Sequence, residues 1–184
     1  MIGLARYCIF IFIPLSIAAQ DDICWDETTP LKWSDFKGEI NSTTTYIGTA
    51  STAASSVRII SKSFWRENMP DYNFKNVFSR SLSWVSDTTE SLLSHEQLHF
   101  DISEIYARRA RKSVDSLRKL GIRDLSIYKK KVNHVLRKVN SYQLLYDQET
   151  AHGVIEFRQD IWANKILEEL KSLQEYASKH NCKE

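Results

Sequence analysis

Apolar and polar residues change rhythm twice along the chain. Tyr7 to Ile17 is an apolar run without acidic or basic residues. From Tyr46 to Val85, β-branched and aromatic residues alternate in places with polar ones, the period of a half-buried strand. Val57, Ile59 and the stretch through Trp65 predict one strand, and Arg66 to Asp71 a turn. Phe74, Phe78, Leu82 and Trp84 then fall on one face of a second extended run, opposite Lys75, Ser79, Ser81 and Ser83. At least three strands, antiparallel, are expected here, with Tyr72 to Phe78 readable as either helix or strand. Beyond them the period becomes helical. Asp87 is the expected N-cap of a helix of about thirty residues, with Glu90 completing a capping box. Its apolar side is Leu92, Leu98, Ile102, Ile105, Val114 and Leu117, and it ends near Gly121. Asp124 opens another helix, with Leu125, Tyr128, Val132, Leu136 and Val139 buried. A linker through Tyr142 and Tyr146 is expected to lead into a last helix, buried through Val154, Phe157, Ile161, Leu170, Leu173 and Tyr176. The fold class is therefore α+β: a small antiparallel or mixed sheet, then about three long helices.

Composition turns this into an exported protein. The run Tyr7–Ile17 follows one positive charge, Arg6, and ends in Ser16-Ile17-Ala18-Ala19-Gln20, as a signal peptide does. It is short for a membrane span, and no later stretch reaches that length, so stable membrane insertion is not expected. Residues 1–19 are read as the signal peptide and 20–184 as a single domain, enough chain for a sizeable core. Loss of Arg6 lowers the formal charge from +2 to +1, which gives no reason to expect nucleic acid. Arg108, Arg109, Arg111 and Lys112 read as a solvated helix face. Cys24 and Cys182, near the two ends of the mature chain, are expected to form a disulfide in an oxidising compartment. Leu31 to Gly38 reads as a short ordered segment clamping Trp33 and Phe36 onto the core.

The chemistry concentrates at His95-Glu96-Gln97-Leu98-His99. Residues four apart share a helix face, so His95 and His99 can hold one metal while Glu96 serves as a general base. Catalytic zinc takes three protein ligands. The elongated variant of the motif would need a glycine and a histidine where Ile102 and Ile105 stand, which excludes it. The third ligand is expected from Tyr146-Asp147-Gln148-Glu149-Thr150-Ala151-His152-Gly153: His152 first, with Glu149 and Asp147 as alternatives. His134 and His180 read as solvated.

Leu31–Gly38, Ser83-Trp84-Val85, Leu93–Asp101 and Tyr146-Asp147-x-x-Thr150-x-His152-Gly153 together resemble the motifs of a bacterial family of predicted secreted zinc-dependent proteases, largely a domain of unknown function. The resemblance covers nearly the whole mature chain. It implies a zincin-like fold and carries metal-site positions onto His95, Glu96, His99 and His152. It supplies no substrate.

The leading expectation is a periplasmic or extracellular zinc endopeptidase acting on peptide or protein substrates. Glu96 would move the proton, Tyr146 would donate to the oxyanion, and Asp101 or Asp147 would orient a ligand imidazole. An edge strand between Phe74 and Val85 would bind extended peptide. Two alternatives belong to other classes. One is a non-catalytic envelope or binding protein with a structural metal. The other is a di-iron carboxylate bundle built on Glu96-x-x-His99 and Glu149-x-x-His152, which lacks a bridging carboxylate because Leu125 to Tyr146 contains none. Oligomeric state is left open.

Overall fold

The structure, a computed structural model, describes residues 22–40 and 52–178. Strands β1 (Asp22–Cys24), β3 (Val57–Arg66) and β4 (Met69–Ser79) form an antiparallel sheet in the order β1-β4-β3. A smaller two-stranded sheet pairs β2 (Ala53–Ala54) with β5 (Trp84–Val85). Four helices follow: α1 (Glu90–Lys119), α2 (Leu125–Leu136), α3 (Lys138–Thr150) and α4 (Glu156–Ser172). This is the α+β arrangement read from the sequence, with one helix more than expected.

β3 and β4 make a hairpin whose turn is only Glu67-Asn68, both at positive φ (55° and 57°). That backbone matches the right-handed twist of the flanking strands. The pairing runs from Arg66↔Met69 to Val57↔Phe78 and puts Val57, Ile59, Phe74 and Phe78 on the face that meets α1. β4 is the central strand, but β1 covers it only from Val77 to Ser79, so just that part of the stretch expected to offer an edge is paired on both sides. The alternation also breaks after Ser79. A 3₁₀ turn at Arg80–Leu82 turns Leu82 out to solvent, while Trp84 returns to the interior.

α1 is the element around which the rest packs. Its N-cap is Thr89, whose Oγ1 accepts from Leu92 N–H at 3.2 Å, two residues later than the expected Asp87. It ends in a Schellman pattern: Gly121 (φ +68°) donates to Arg118 O and Ile122 donates to Leu117 O. Leu98, Ile102, Ile105 and Tyr106 pack against α3 and α4 through Tyr146, Trp162, Ile166 and Leu170. Ala110 and Val114 meet Phe74, Tyr128 and Val132. Phe100 meets Phe78, Phe36 and Leu31. The clamp expected of Trp33 and Phe36 is present, their rings 5.0 Å apart, with Phe36 buried.

Three further expectations are corrected. The segment read as a linker is α3, which begins directly after α2 at Arg137. It carries no broad apolar stripe: Leu144 and Leu145 are exposed, and only Val139, Tyr142 and Tyr146 face inward. Of the residues read as buried on the last helix, Leu170 and Leu173 are buried, but Val154, which precedes α4, Phe157 and Ile161 are outside, at 78%, 63% and 53% exposure. Gln159, Trp162 and Ile166 join Leu170 on the inward side. The basic cluster is a solvated face only in part: Lys112 is exposed, and Arg109 is half-buried on Glu169. Arg108 is buried, donating to Glu104 (3.2 Å), Leu170 O (2.8 Å) and Gln174 (2.9 Å), and Arg111 reaches Glu104, Phe74 O and Tyr176 O. These guanidinium groups tie α1 to β4 and to the chain after α4, a buried arrangement that is kept only with every donor satisfied. Residues 1–19 and Cys182 lie outside the described residues; Cys24 ends β1.

Candidate metal centre

His95 and His99 lie in the second turn and third turn of α1, one helical turn apart, and their Nε2 atoms stand 3.1 Å from each other. Asp147, on α3, brings its Oδ1 to 3.2 Å from His95 Nε2 and 2.9 Å from His99 Nε2. Among the described residues these three form the one group of this kind, with ligand atoms all within 4.8 Å.

The far nitrogens fix what the near ones are. His95 Nδ1 is 3.1 Å from Gln159 Oε1, and His99 Nδ1 bonds Gln143 Oε1. Neither amide can be turned round, because Gln159 Nε2 donates to Ser91 O at 2.8 Å and Gln143 Nε2 donates to His99 O at 2.9 Å. Both Nδ1 atoms must therefore carry the proton, leaving a lone pair on each Nε2. Two imidazole lone pairs and one carboxylate oxygen then converge with no hydrogen between them, and Asp147 Oδ1 is buried without a donor. Three acceptors this close repel one another unless a cation sits among them. Protons answer the same field. Burial pushes the His99 imidazole down, but Asp147, Glu96 and Gln143 outweigh it and raise its pKa above the ordinary value. Burial pushes the Asp147 carboxyl up, but His95 and His99 outweigh that and hold it well below the usual carboxylate range.

Glu96 is buried in the same turn of α1, on the wall of the cavity above the group. Among the described residues nothing donates a hydrogen bond to its carboxylate.

The motif around Asp147 resolves into separate physical jobs. The Tyr146 ring stacks on His95 (4.7 Å between centroids, 22°) and meets His99 edge-on at 5.0 Å. Thr150 Oγ1 donates to Tyr146 O at 2.8 Å and accepts from Gly153 N–H at 3.3 Å, closing the end of α3. Ala151, His152 and Gly153 then follow in left-handed conformations, with φ of 48°, 55° and 83°. That costs conformational energy at the first two residues and brings Gly153 against His95.

The site residues read from the sequence are thus redistributed. His95, His99 and Asp147 come together. His152 stays outside the group: its side chain is 65% exposed and its Nδ1 is 3.7 Å from Asp147 Oδ1. The Tyr146 hydroxyl is buried and donates to Gln159 Oε1 at 2.9 Å, so it faces away from the cavity and is no oxyanion donor; burial pushes its phenol well above the ordinary value. Asp101 accepts from Trp25 Nε1 (2.7 Å) and Gln97 Nε2 (2.8 Å), while Gln97 Oε1 accepts from Leu31 N–H at 2.8 Å. It anchors the N-terminal segment to α1 and orients no imidazole. Glu149 accepts from Trp162 Nε1 at 2.8 Å, and among the described residues Glu149-x-x-His152 forms no second group of ligand atoms. Gln143 and Gln159 were missed. Gln143 sits one turn before Asp147, a spacing visible only once this stretch is known to be helical.

No helix among the described residues is long and apolar enough to cross a membrane. No curated protein and no solved structure matches the chain. Residues 68–153, just under half of the chain, match a family described as a bacterial protein of unknown function (DUF922), and that stretch holds His95, Glu96, His99, Gln143, Asp147 and Gly153.

Proposed function

We propose that the protein is an exported zinc-dependent hydrolase of peptide bonds. The observation that carries this is the convergence of His95 Nε2, His99 Nε2 and Asp147 Oδ1 within 4.8 Å of one another, beside the buried carboxylate of Glu96. The separations of 2.9 to 3.2 Å are close to the roughly 3.3 Å between ligands in a tetrahedral zinc site with bonds of about 2.0–2.1 Å. Two imidazoles and one carboxylate also form a donor set that zinc takes in hydrolases. Zinc held there supplies a Lewis acid that polarises a carbonyl and makes water acidic near neutral pH.

The chain's own residues do the rest. Gln143 and Gln159 hold the two histidines in the ligating tautomer, and Tyr146 and Gly153 fix the plane of the His95 ring. Glu96 takes the proton of the attacking water and passes it to the departing amine. Export rests on the apolar run Tyr7–Ile17 and its small-residue end. Glu96→Gln keeps the shape and the metal ligands but removes the base. It is expected to retain one zinc per chain and lose turnover of a peptide library by at least about a hundredfold. Turnover within a few-fold of the parent would overturn the mechanism.

A second reading, a non-catalytic protein with a structural metal, is favoured by His152. Its Nδ1 is near enough to Asp147 that a small movement of the Ala151–Gly153 turn would make it a fourth ligand. A zinc-loaded protein that cleaves nothing in the library, with His152 on the metal, would establish that reading instead.

A further inference from the structure

The formal charge of +2 conceals an uneven distribution. Residues 123–138, which span α2 and the residues that flank it, hold six of the chain's 25 lysines and arginines and one of its 23 acidic residues. They carry +5, and the rest of the chain nets −3. The single acid, Asp124, is spent as the N-cap of α2, where it accepts from Ser126 N–H at 2.8 Å. Leu125 to Tyr146 contains none.

Arg123, Lys129, Lys130, Lys131, Arg137 and Lys138 are all exposed, and among the described residues none of them makes an ion pair. No carboxylate stands three or four residues from any of them to offset their mutual repulsion. The neighbouring long helices do otherwise: α1 pairs Glu104 with Arg108 and Asp115 with Lys119, and α4 pairs Glu168 with Lys171. Outside the described residues the sequence has only two acidic side chains, Asp21 and Glu184, too few to neutralise the six. On α2 itself Ile127, Lys130, His134 and Arg137 recur at intervals of three and four, on the side opposite the buried Tyr128 and Val132. Ile127 is 42% exposed within this face, and Leu120 is 74% exposed at the turn before it.

The side chains decide what such a face holds. Four of the six cations are lysines, point charges on flexible stems that meet phosphates without a fixed geometry. Surfaces that meet a folded protein are depleted in lysine. A layer of mobile phosphates needs no pocket, and exposed apolar side chains among the cations add shallow contact with it.

We propose that the outward face of α2 docks the protein reversibly on an anionic phospholipid surface. Val139 and Asn140, which follow Lys138 directly, line the metal cavity, so the docked face adjoins the cavity wall. The docking itself is independent of the hydrolase reading.

Co-sedimentation of the mature chain, from Gln20 onward, with lipid vesicles tests this; the apolar run Tyr7–Ile17 is left out because it would itself enter lipid. Vesicles containing about one third phosphatidylglycerol are expected to bind at least about tenfold more tightly than pure phosphatidylcholine vesicles in about 0.1 M salt. The difference should vanish near about 1 M, where surface charges are screened. Each cation close to an anionic surface strengthens binding by about fivefold. The triple variant Lys129→Gln, Lys130→Gln, Lys131→Gln is therefore expected to bind at least about tenfold more weakly, at unchanged helix content and zinc affinity. The same loss of charge at Lys32, Arg158 and Lys171, exposed on other elements, should weaken binding by no more than a few-fold. Equal binding to both kinds of vesicle, or equal losses in the two triple variants, would overturn the proposal. So would binding of polyglutamate or duplex DNA without binding of vesicles, which would give the face to a soluble polyanion. Vesicle binding requires neither zinc nor turnover, so the hydrolase reading stands or falls separately.

Discussion

Gly153 lies directly against the imidazole of His95. A Cβ on Gly153 would come within 3.0 Å of His95 Cβ and Cγ and 3.2 Å of Nδ1, and the residue's φ of +83° is one that side chains disfavour. Gly153→Ala therefore meets two obstacles, a backbone cost of about 1–2 kcal/mol and a displaced His95 ring. The expected outcome is a lower unfolding midpoint and zinc affinity weakened by about tenfold or more, measured by competition with a chromogenic chelator. Unchanged zinc affinity would show that His95 can shift without leaving the metal.

The two glutamines make a prediction about protons rather than shape. In the metal-free protein both histidines are expected as the Nδ1–H tautomer, which long-range proton–nitrogen correlation spectra read directly. Gln143→Leu removes the acceptor that fixes His99. His99 should then show mixed tautomers, His95 should not, and zinc affinity should fall by about 10–100-fold. Loss of the tautomer preference at both rings would instead indicate a disrupted centre.

The raised pKa of His99 sets the pH dependence of zinc binding. A ligand must give up its proton, so the proton competes with zinc at pH values somewhat above the ordinary imidazole pKa of about 6.5. A group with a raised folded-state pKa contributes stability below its unfolded pKa and loses that contribution as pH rises through the folded one. The metal-free protein is therefore expected to lose the His99 contribution between about pH 6.5 and the raised value, while the increment from zinc grows over the same interval. Thermal unfolding at pH 6 and pH 8, with and without zinc, checks this. A zinc increment that does not rise with pH would contradict it.

The helix that carries the centre was legible from residue pattern alone, because His95, His99 and the run Leu98, Ile102, Ile105 share the helical period with its end at Gly121. The β3–β4 hairpin was legible in part: its turn is two residues rather than six, and over Tyr72 to Phe78 the pattern alone fits helix as well as strand. Two kinds of feature were not. α3 lacks the apolar stripe that announces a helix, since its inward side is spent on Tyr142, which packs on Tyr106 and Trp162, and on Gln143, Tyr146 and Asp147, which serve the centre. With α3 read as a linker, the i,i+4 relation of Gln143 and Asp147 was invisible, and His152 stood out through its polar neighbours, the glycine after it and the family resemblance. The apolar residues Val154, Phe157 and Ile161 misled in the opposite direction. α4 is turned so that Gln159 reaches His95 and Trp162 reaches Glu149, which leaves those three outside. Local periodicity cannot reveal which face a polar network will claim.

The most direct test of the account is which residue completes the metal group. Zinc stoichiometry and affinity, measured on the parent protein and on Asp147→Ala and His152→Ala, separate the two candidates at once. The account predicts one zinc per chain in the parent and in His152→Ala, with affinity within about tenfold, and loss of stoichiometric binding in Asp147→Ala. Retention of zinc by Asp147→Ala together with its loss from His152→Ala would contradict it.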